Sequence, residues 1–128
     1  MRDPASILIL AAEPSVREMI RRAAEEFGRV VITHKPALAI YFARAHEPTV
    51  AILDLDVVPP QGRSGLVSTL RERFCLSIVA VGDVATIDDA AALGLTMVLK
   101  PLNGSSLMKE IDRALSERLG TQSREDRH

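Results

Sequence analysis

Residues 7–32 read ILILAAEPSVREMIRRAAEEFGRVVI, and how this stretch is read decides the fold. Ile7-Leu8-Ile9-Leu10 is an unbroken apolar run, β-branched at alternate positions, the pattern of a strand buried on both faces. Pro14 suits the first turn of a helix, where its missing N–H costs nothing. Val16, Met19, Ile20, Ala23, Ala24 and Phe27 then recur at helical spacing, with Arg17, Glu18, Arg21, Arg22, Glu25 and Glu26 on the opposite side. Gly28 reads as the C-terminal cap of that helix, and Val30-Val31-Ile32 as a second short strand.

The rest of the chain repeats this strand–helix unit. Pro36 opens a second helix whose inner face is read as Leu38, Tyr41, Phe42 and Ala45, and Pro48 ends the connection. Val50-Ala51-Ile52-Leu53 is the third strand. A loop rich in turn formers covers residues 54–65, and a third helix is expected from about Leu66 to Phe74. Residues 77–81 form the fourth strand, and Thr86 with Asp89 can cap a short fourth helix ending near Gly94. Met97-Val98-Leu99 is the fifth strand. Asn103 can cap a last helix with apolar positions Leu107, Met108, Ile111, Ala114, Leu115 and Leu119, which Gly120 ends. Five buried-type strands alternating with five helices predict an α/β doubly wound parallel sheet covered on both faces.

Composition narrows the function classes. The chain has 128 residues, the size of one domain, with no room for a separate output domain. Sixteen Lys+Arg against seventeen Asp+Glu leave a net charge of −1, which gives no electrostatic case for nucleic acid or an anionic membrane. The only aromatics are Phe27, Tyr41, Phe42 and Phe74, too few for a base-stacking platform. Cys75 is the single cysteine, which excludes an internal disulfide framework, and it reads as a small buried hydrophobe. His34, His46 and His128 share no metal-ligand spacing. No apolar run approaches the ~20 residues that span a bilayer, and the start lacks a signal-peptide pattern, so a cytoplasmic location is expected.

In open parallel sheets, ligands sit beyond the carboxyl ends of the strands. Those positions are Ala11-Ala12-Glu13-Pro14, Asp54-Leu55-Asp56, Gly82-Asp83 and Lys100-Pro101. This layout resembles the receiver domain of bacterial response regulators, the chemotaxis-type, flavodoxin-like module of two-component phosphorelay signalling. The resemblance covers almost the whole chain. It is carried by residues 7–10, Glu13-Pro14-Ser15-Val16-Arg17, Gly28, Pro48, Ile52-Leu53-Asp54-Leu55, Gly65 and Lys100-Pro101-Leu102-Asn103. With the strand–helix alternation, it implies a sheet of order 2-1-3-4-5, two helices on one face and three on the other. It also implies a cis bond between Lys100 and Pro101, and a receiver-like domain over residues 1–120 followed by a polar tail, 121–128.

The resemblance further implies that Asp54 is the candidate phosphoacceptor and Lys100 the candidate phosphate-sensing lysine. The remaining site positions depart from the family. The acidic pair that would hold Mg²⁺ falls on Ala11 and Ala12, and a methyl group cannot ligate a metal. Glu13 matches a position that normally points to solvent, where it favours the helix N-terminus through the dipole. The Ser/Thr position falls on Gly82, the small residue after it is Asp83, and the aromatic switch position is Met97. The connection from Gly82 to Gly94 is shorter than usual, and the loop from Asp54 to Gly65 longer. Mg²⁺ demands near-octahedral oxygen ligation, for which Asp54, the carbonyl near Asp56 and Glu13 are the only candidates. Without the ion, at an effective dielectric of ~20, one like-charge contact at 4 Å costs roughly 4 kcal/mol. The Asp83 carboxylate is expected to crowd and repel an incoming phosphoryl group, while Asp54 and Lys100 can equally serve as an ion pair closing the strand ends.

The sequence therefore reads as a receiver-like domain with a degenerate phosphorylation site. It is a protein-interaction module, not an enzyme, with no catalytic residues, no metal and no cofactor. Its partner is a protein, a histidine kinase or another regulator, or a second copy in a homodimer; nucleic acid and membrane are excluded. The alternative is a functional receiver phosphorylated on Asp54 by a histidine kinase, in which case Mg²⁺ is the cofactor. A small-ligand module using the same crevice is a further rival, but residues 11–15 carry no glycine-rich phosphate loop.

Overall fold

The computed structural model describes residues 5–126, with side chains to residue 117. β1 (Ala5–Leu10), β2 (Gly28–Thr33), β3 (Val50–Asp54), β4 (Ser77–Gly82) and β5 (Met97–Leu99) form one parallel sheet in the order β2-β1-β3-β4-β5. The helices are α1 (Pro14–Glu25), α2 (Pro36–His46), α3 (Pro60–Glu72), α4 (Ile87–Ala92) and α5 (Gly104–Asp126), with short 3₁₀ turns at Leu55–Val57 and Val84–Thr86.

The central strands are buried on both faces, as their unbroken apolar runs predict. Ile7, Ile9, Val50, Ile52, Val79 and Val81 point to one side and pack with Ile20 and Ala24 of α1 and Leu107 and Ile111 of α5. Leu8, Leu10, Ala51, Leu53 and Ala80 point to the other and meet Ala39, Leu66, Leu70 and Ala90 of α2, α3 and α4. Each fully buried Ile or Leu contributes about 1.5–3 kcal/mol relative to an exposed one. The expected division into two helices and three follows from these two clusters.

Several local expectations change. Gly28 is not a left-handed cap, because α1 ends at Glu26 in right-handed geometry. Its role is close approach: a Cβ there would lie 1.9 Å from the Ala5 carbonyl oxygen, so only glycine lets β2 start against β1. The inner face of α2 is Ala39 and Ala43, with Ile40 and Phe42 half-buried, while Tyr41 is 62% exposed and Leu38 and Ala45 lie outside. Small residues let this helix lie close to the sheet. α3 begins at Pro60, six residues before the position read from sequence, because Pro60 fits the first helical turn and Gly62 and Gly65 sit on its exposed side.

Cys75 is exposed, not buried, and holds a left-handed φ of 57°. That turn brings the Leu76 N–H to the Leu70 carbonyl at 3.1 Å and sends Leu76 into the core. Thr86 does not cap α4; its hydroxyl and Asp89 take other partners described below. Asn103 does cap α5, its side-chain oxygen accepting from the Ser106 N–H at 3.2 Å. α5 continues through Gly120 to Asp126, since an internal glycine costs only about 1 kcal/mol against alanine and no proline follows. Met19 and Met108 are partly exposed at the edges of their apolar stripes. The side chain of Leu119, and all of His128, lie outside the described residues.

Candidate functional site

Strand register aligns the carboxyl ends that carry the chemistry. Asp54 lies beside Val81, and Gly82 beside Leu99. The bond between Lys100 and Pro101 is cis, as the resemblance implied, and the Lys100 N–H donates to the Gly82 carbonyl at 3.0 Å. β5 and β3 are two strand spacings apart, about 10 Å. The lysine side chain crosses the end of β4 and places its Nζ 2.9 Å from Asp54 Oδ2 and 2.9 Å from Asp56 Oδ2.

The two carboxylates are held by the backbone as well. The Asp56 N–H donates to Asp54 Oδ1 at 3.0 Å, in a 3₁₀ turn that starts at the end of β3. The Asp83 N–H donates to Asp56 Oδ2 at 3.0 Å. The Asp54 side chain is 2% exposed, that of Lys100 15% and that of Asp56 22%. Burial raises the pKa of Asp54 above the ordinary carboxylate range, against the pull of Lys100. Burial opposes ionisation of Asp56 too, but the Lys100 ammonium and the Asp83 N–H outweigh it and hold that carboxyl below its usual value. Lys100 loses solvation by burial, yet its two carboxylate partners raise its pKa overall. The site is thus one ammonium shared between two acids.

Around position 82 the space is filled from elsewhere. A Cβ on Gly82 would lie 2.4 Å from Thr86 Oγ1, 3.1 Å from Met97 Sδ and 3.3 Å from Asp56 Oδ1. The buried Thr86 hydroxyl donates to the Asp83 carbonyl at 2.7 Å and touches Met97 Sδ at 3.3 Å. Below the site, the buried Arg63 guanidinium ties the loop to α4: its Nε donates to the Leu55 and Val58 carbonyls, both at 3.1 Å, and its Nη1 meets Asp89 at 2.5 Å.

Of the residues singled out from sequence, Asp54 and Lys100 come together. Ala11 is fully buried and Ala12 exposed at the end of β1. Glu13 is exposed and accepts from the Ser15 hydroxyl at 2.9 Å. The Asp83 side chain is exposed; its N–H donates to Asp56, and its carboxyl group also lies within hydrogen-bonding reach of that side chain. The carboxylate beside Asp54 in the crevice is that of Asp56, of which the sequence reading considered only the nearby carbonyl. Its spacing of two from Asp54 was the available signal. Thr86 and Arg63 carried none beyond their residue type. The cavity bordering Lys100, lined by Glu13, Ser15, Val16, Met19, Pro101 and Leu102, is about 270 Å³. That lies just under the ~300–1,000 Å³ of ordinary ligand pockets. Among the described residues, no three His, Cys, Asp or Glu side chains gather as a metal site, and no helix is long and apolar enough to cross a membrane.

No family profile and no curated protein matches the chain by sequence. Solved structures do match. A CheY-like response regulator receiver domain protein from Methanospirillum hungatei is similar with a TM-score of 0.79 at 18% identity, over 93% of this chain and 99% of that one. The chemotaxis response regulator CheY4 of Vibrio cholerae gives 0.71 at 20% identity, over 87% of this chain and 98% of that one. NtrX from Brucella abortus gives 0.83 at 19% identity, over 96% of this chain but 29% of that one. The architecture is therefore the receiver-domain fold of two-component response regulators.

Proposed function

We propose that the chain is a receiver-type protein-interaction module of two-component signalling that works without Mg²⁺ and without phosphorylation of Asp54. The observation that carries this reading is the Lys100 ammonium, lodged 2.9 Å from both carboxylates of the crevice. Mg²⁺ takes oxygen ligands in near-octahedral array and needs one or two free carboxylates. Here both are committed to an ammonium, whose charge would face the metal, and the end of β1 offers only alanine methyls. These residues do not fit the ion.

Phosphoryl transfer rests on positioning and charge neutralisation. A dianionic donor entering this crevice would meet Asp54 and Asp56 with, among the described residues, the Lys100 ammonium to offset them. One unpaired contact of that kind, roughly 4 kcal/mol at an effective dielectric of ~20, amounts to about three decades in rate. Signalling would then run through protein contact in the cytoplasm, with a histidine kinase, another regulator or a second copy as the partner, and the chain would be no enzyme. The test is incubation with acetyl phosphate or beryllofluoride and Mg²⁺, read by intact mass and ¹⁹F NMR. No adduct is expected. A stoichiometric adduct on Asp54 would overturn this reading and establish a working phosphoacceptor.

A further inference from the structure

We infer that the outer face of α2 is a docking surface for an acidic amphipathic helix of a partner protein. Of the 11 residues of α2, only Pro36, Arg44 and His46 are neither apolar nor aromatic, yet the side turned to the core is fully buried only at Ala39 and Ala43. A helix that is apolar all round is ordinarily covered on more than one side. Here Leu38, Tyr41 and Ala45, spaced three and four apart on one face, are exposed together with Ala37. The outward sides of α1 and α5 differ, because they carry charged pairs: Arg22 with Glu18, and Arg113 with Glu110 and Glu117. The Tyr41 ring is braced by Phe42, their centroids 5.7 Å apart, and Phe42 in turn meets the His46 ring edge-on at 5.7 Å. An exposed, braced tyrosine beside an arginine has the composition of an interface centre.

Charge selects the occupant. Lys35 stands at the N-cap, Arg44 and His46 lie in the last turn, and no Asp or Glu occurs from His34 to His46; the first acid is Glu47, at the C-cap. Neither Lys35 nor Arg44 takes part in an ion pair among the described residues. Two copies joined through α2 would bring these cations together, whereas a helix with carboxylates beside its apolar stripe would pair with them. The small side chains of Ala37 and Ala45 let such a helix come close enough to pack on Leu38 and Tyr41. Lipid is the poorer occupant, because Ala39 and Ala43 hold α2 against Leu8 and Leu10 of the sheet, so that it offers a ridge and not a helix able to sink into a membrane surface. The inference shares with the function proposed above the premise that the chain works by protein contact, and it does not depend on the state of Asp54.

The probes are two synthetic peptides of about 20 residues, long enough to hold a helix in water. Both carry the same stripe of leucine and alanine, flanked by glutamate in one and by lysine in the other. Each is titrated into the full chain and followed by ¹⁵N–¹H correlation spectra. The glutamate peptide should bind, shift the amides of residues 35–46, and weaken as sodium chloride screens the charges. Tyr41→Ala removes an exposed ring, so it should leave the Tm unchanged while weakening the glutamate peptide about tenfold or more. Lys35→Glu combined with Arg44→Glu should transfer the preference to the lysine peptide. Equal binding of the two peptides, binding of neither, or shifts confined to another face would overturn the inference. So would a concentration-dependent dimer in sedimentation that Tyr41→Ala abolishes, which would assign the face to a second copy. Tyr41-dependent co-sedimentation with phosphatidylserine vesicles would assign it to lipid and overturn the inference as well. A beryllofluoride adduct on Asp54 would sink the function proposal while leaving the peptide result intact, so the two fail separately.

Discussion

Replacing Lys100 with methionine removes the ammonium that pairs with both carboxylates from a site where Asp54 is almost wholly enclosed. Methionine keeps most of the length and apolar stem, so the change is chiefly electrostatic. Asp54 retains one neutral hydrogen bond, from the Asp56 N–H, and Asp56 retains the Asp83 N–H. Removing one partner of a buried pair costs about 3–5 kcal/mol, because the other charge is left uncompensated. The loss has a ceiling, since Asp54 can take up a proton. From an unfolded pKa of about 3.9 to pH near 7, at about 1.36 kcal/mol per unit, protonation costs roughly 4 kcal/mol. The expected loss near pH 7 is therefore about 3–4 kcal/mol. The sign with pH follows. In the variant, native Asp54 holds a proton that the unfolded chain lacks above its ordinary pKa, so the variant gains stability as pH falls. In wild type, Asp54 is also raised by burial but is held back by Lys100, so wild type gains less on acidification, and the stability from the lowered Asp56 is lost only below the ordinary carboxylate range, outside this window. Because Asp54 is raised further without Lys100 than with it, the gap narrows as pH falls, to about 1–2 kcal/mol near pH 5. Urea denaturation followed by far-UV circular dichroism measures it, the chain having no tryptophan. A gap that stays constant between the two pH values would refute the reasoning.

Gly82→Ala should cost about 1–3 kcal/mol through the contact with Thr86 Oγ1. Thr86→Ala should cost about 1 kcal/mol for its hydrogen bond, and the double variant should be less destabilised than the sum by about 1–2 kcal/mol. Urea denaturation of all four proteins checks this, and simple additivity would mean that the two side chains do not compete for space. Gly65→Ala should stabilise the protein by about 0.4–1 kcal/mol, because the glycine is exposed within α3 with nothing within 4 Å of an added Cβ. A rise of a few degrees in Tm is the expected reading, and a fall would show that the helix needs flexibility there.

The sheet was legible because its strands carry their own signature. Residues 7–10 and 50–53 are apolar at every position, and only a strand covered on both faces explains that. What escaped were features set by space and not by pattern. In α2, the larger side chains Leu38 and Tyr41 looked like the core face, yet the gap over the sheet admits only Ala39 and Ala43. In α3, the run from Pro59 to Gly65 looked like a loop because its turn formers are concentrated there, although Arg63, Leu66, Val67 and Leu70 already follow a buried helical stripe. Cys75 was misplaced because residue type says nothing about a left-handed turn whose purpose is to bury the next residue. In the site, Asp54 and Lys100 were singled out by what the resemblance implies for their positions at strand ends. Asp56 was not, since the sequence shows that Gly82 lacks a side chain but not what occupies the vacated volume.

The residues of this crevice are coupled, and that coupling limits what any single substitution can do. Placing threonine at position 82 restores a hydroxyl in composition, but its Cβ meets Thr86 Oγ1 at 2.4 Å before that hydroxyl can reach anything. Moving Thr86 away releases the Asp83 carbonyl, and with it the loop whose N–H holds Asp56. Removing Asp56 leaves Lys100 paired with Asp54 alone, a tighter commitment of the only ammonium in the crevice among the described residues. Installing aspartates at Ala11 and Ala12 adds metal ligands beside an ammonium that still bridges the other two carboxylates. Each change thus meets a neighbour whose position depends on the residue replaced. Thr86, Met97, Gly82, Asp56 and Lys100 form one packed, hydrogen-bonded unit, and within such a unit substitutions are non-additive by about 0.5–3 kcal/mol. On the function proposed above, no single one of these exchanges is expected to yield a beryllofluoride adduct on Asp54, and an adduct from one exchange alone would refute the coupling.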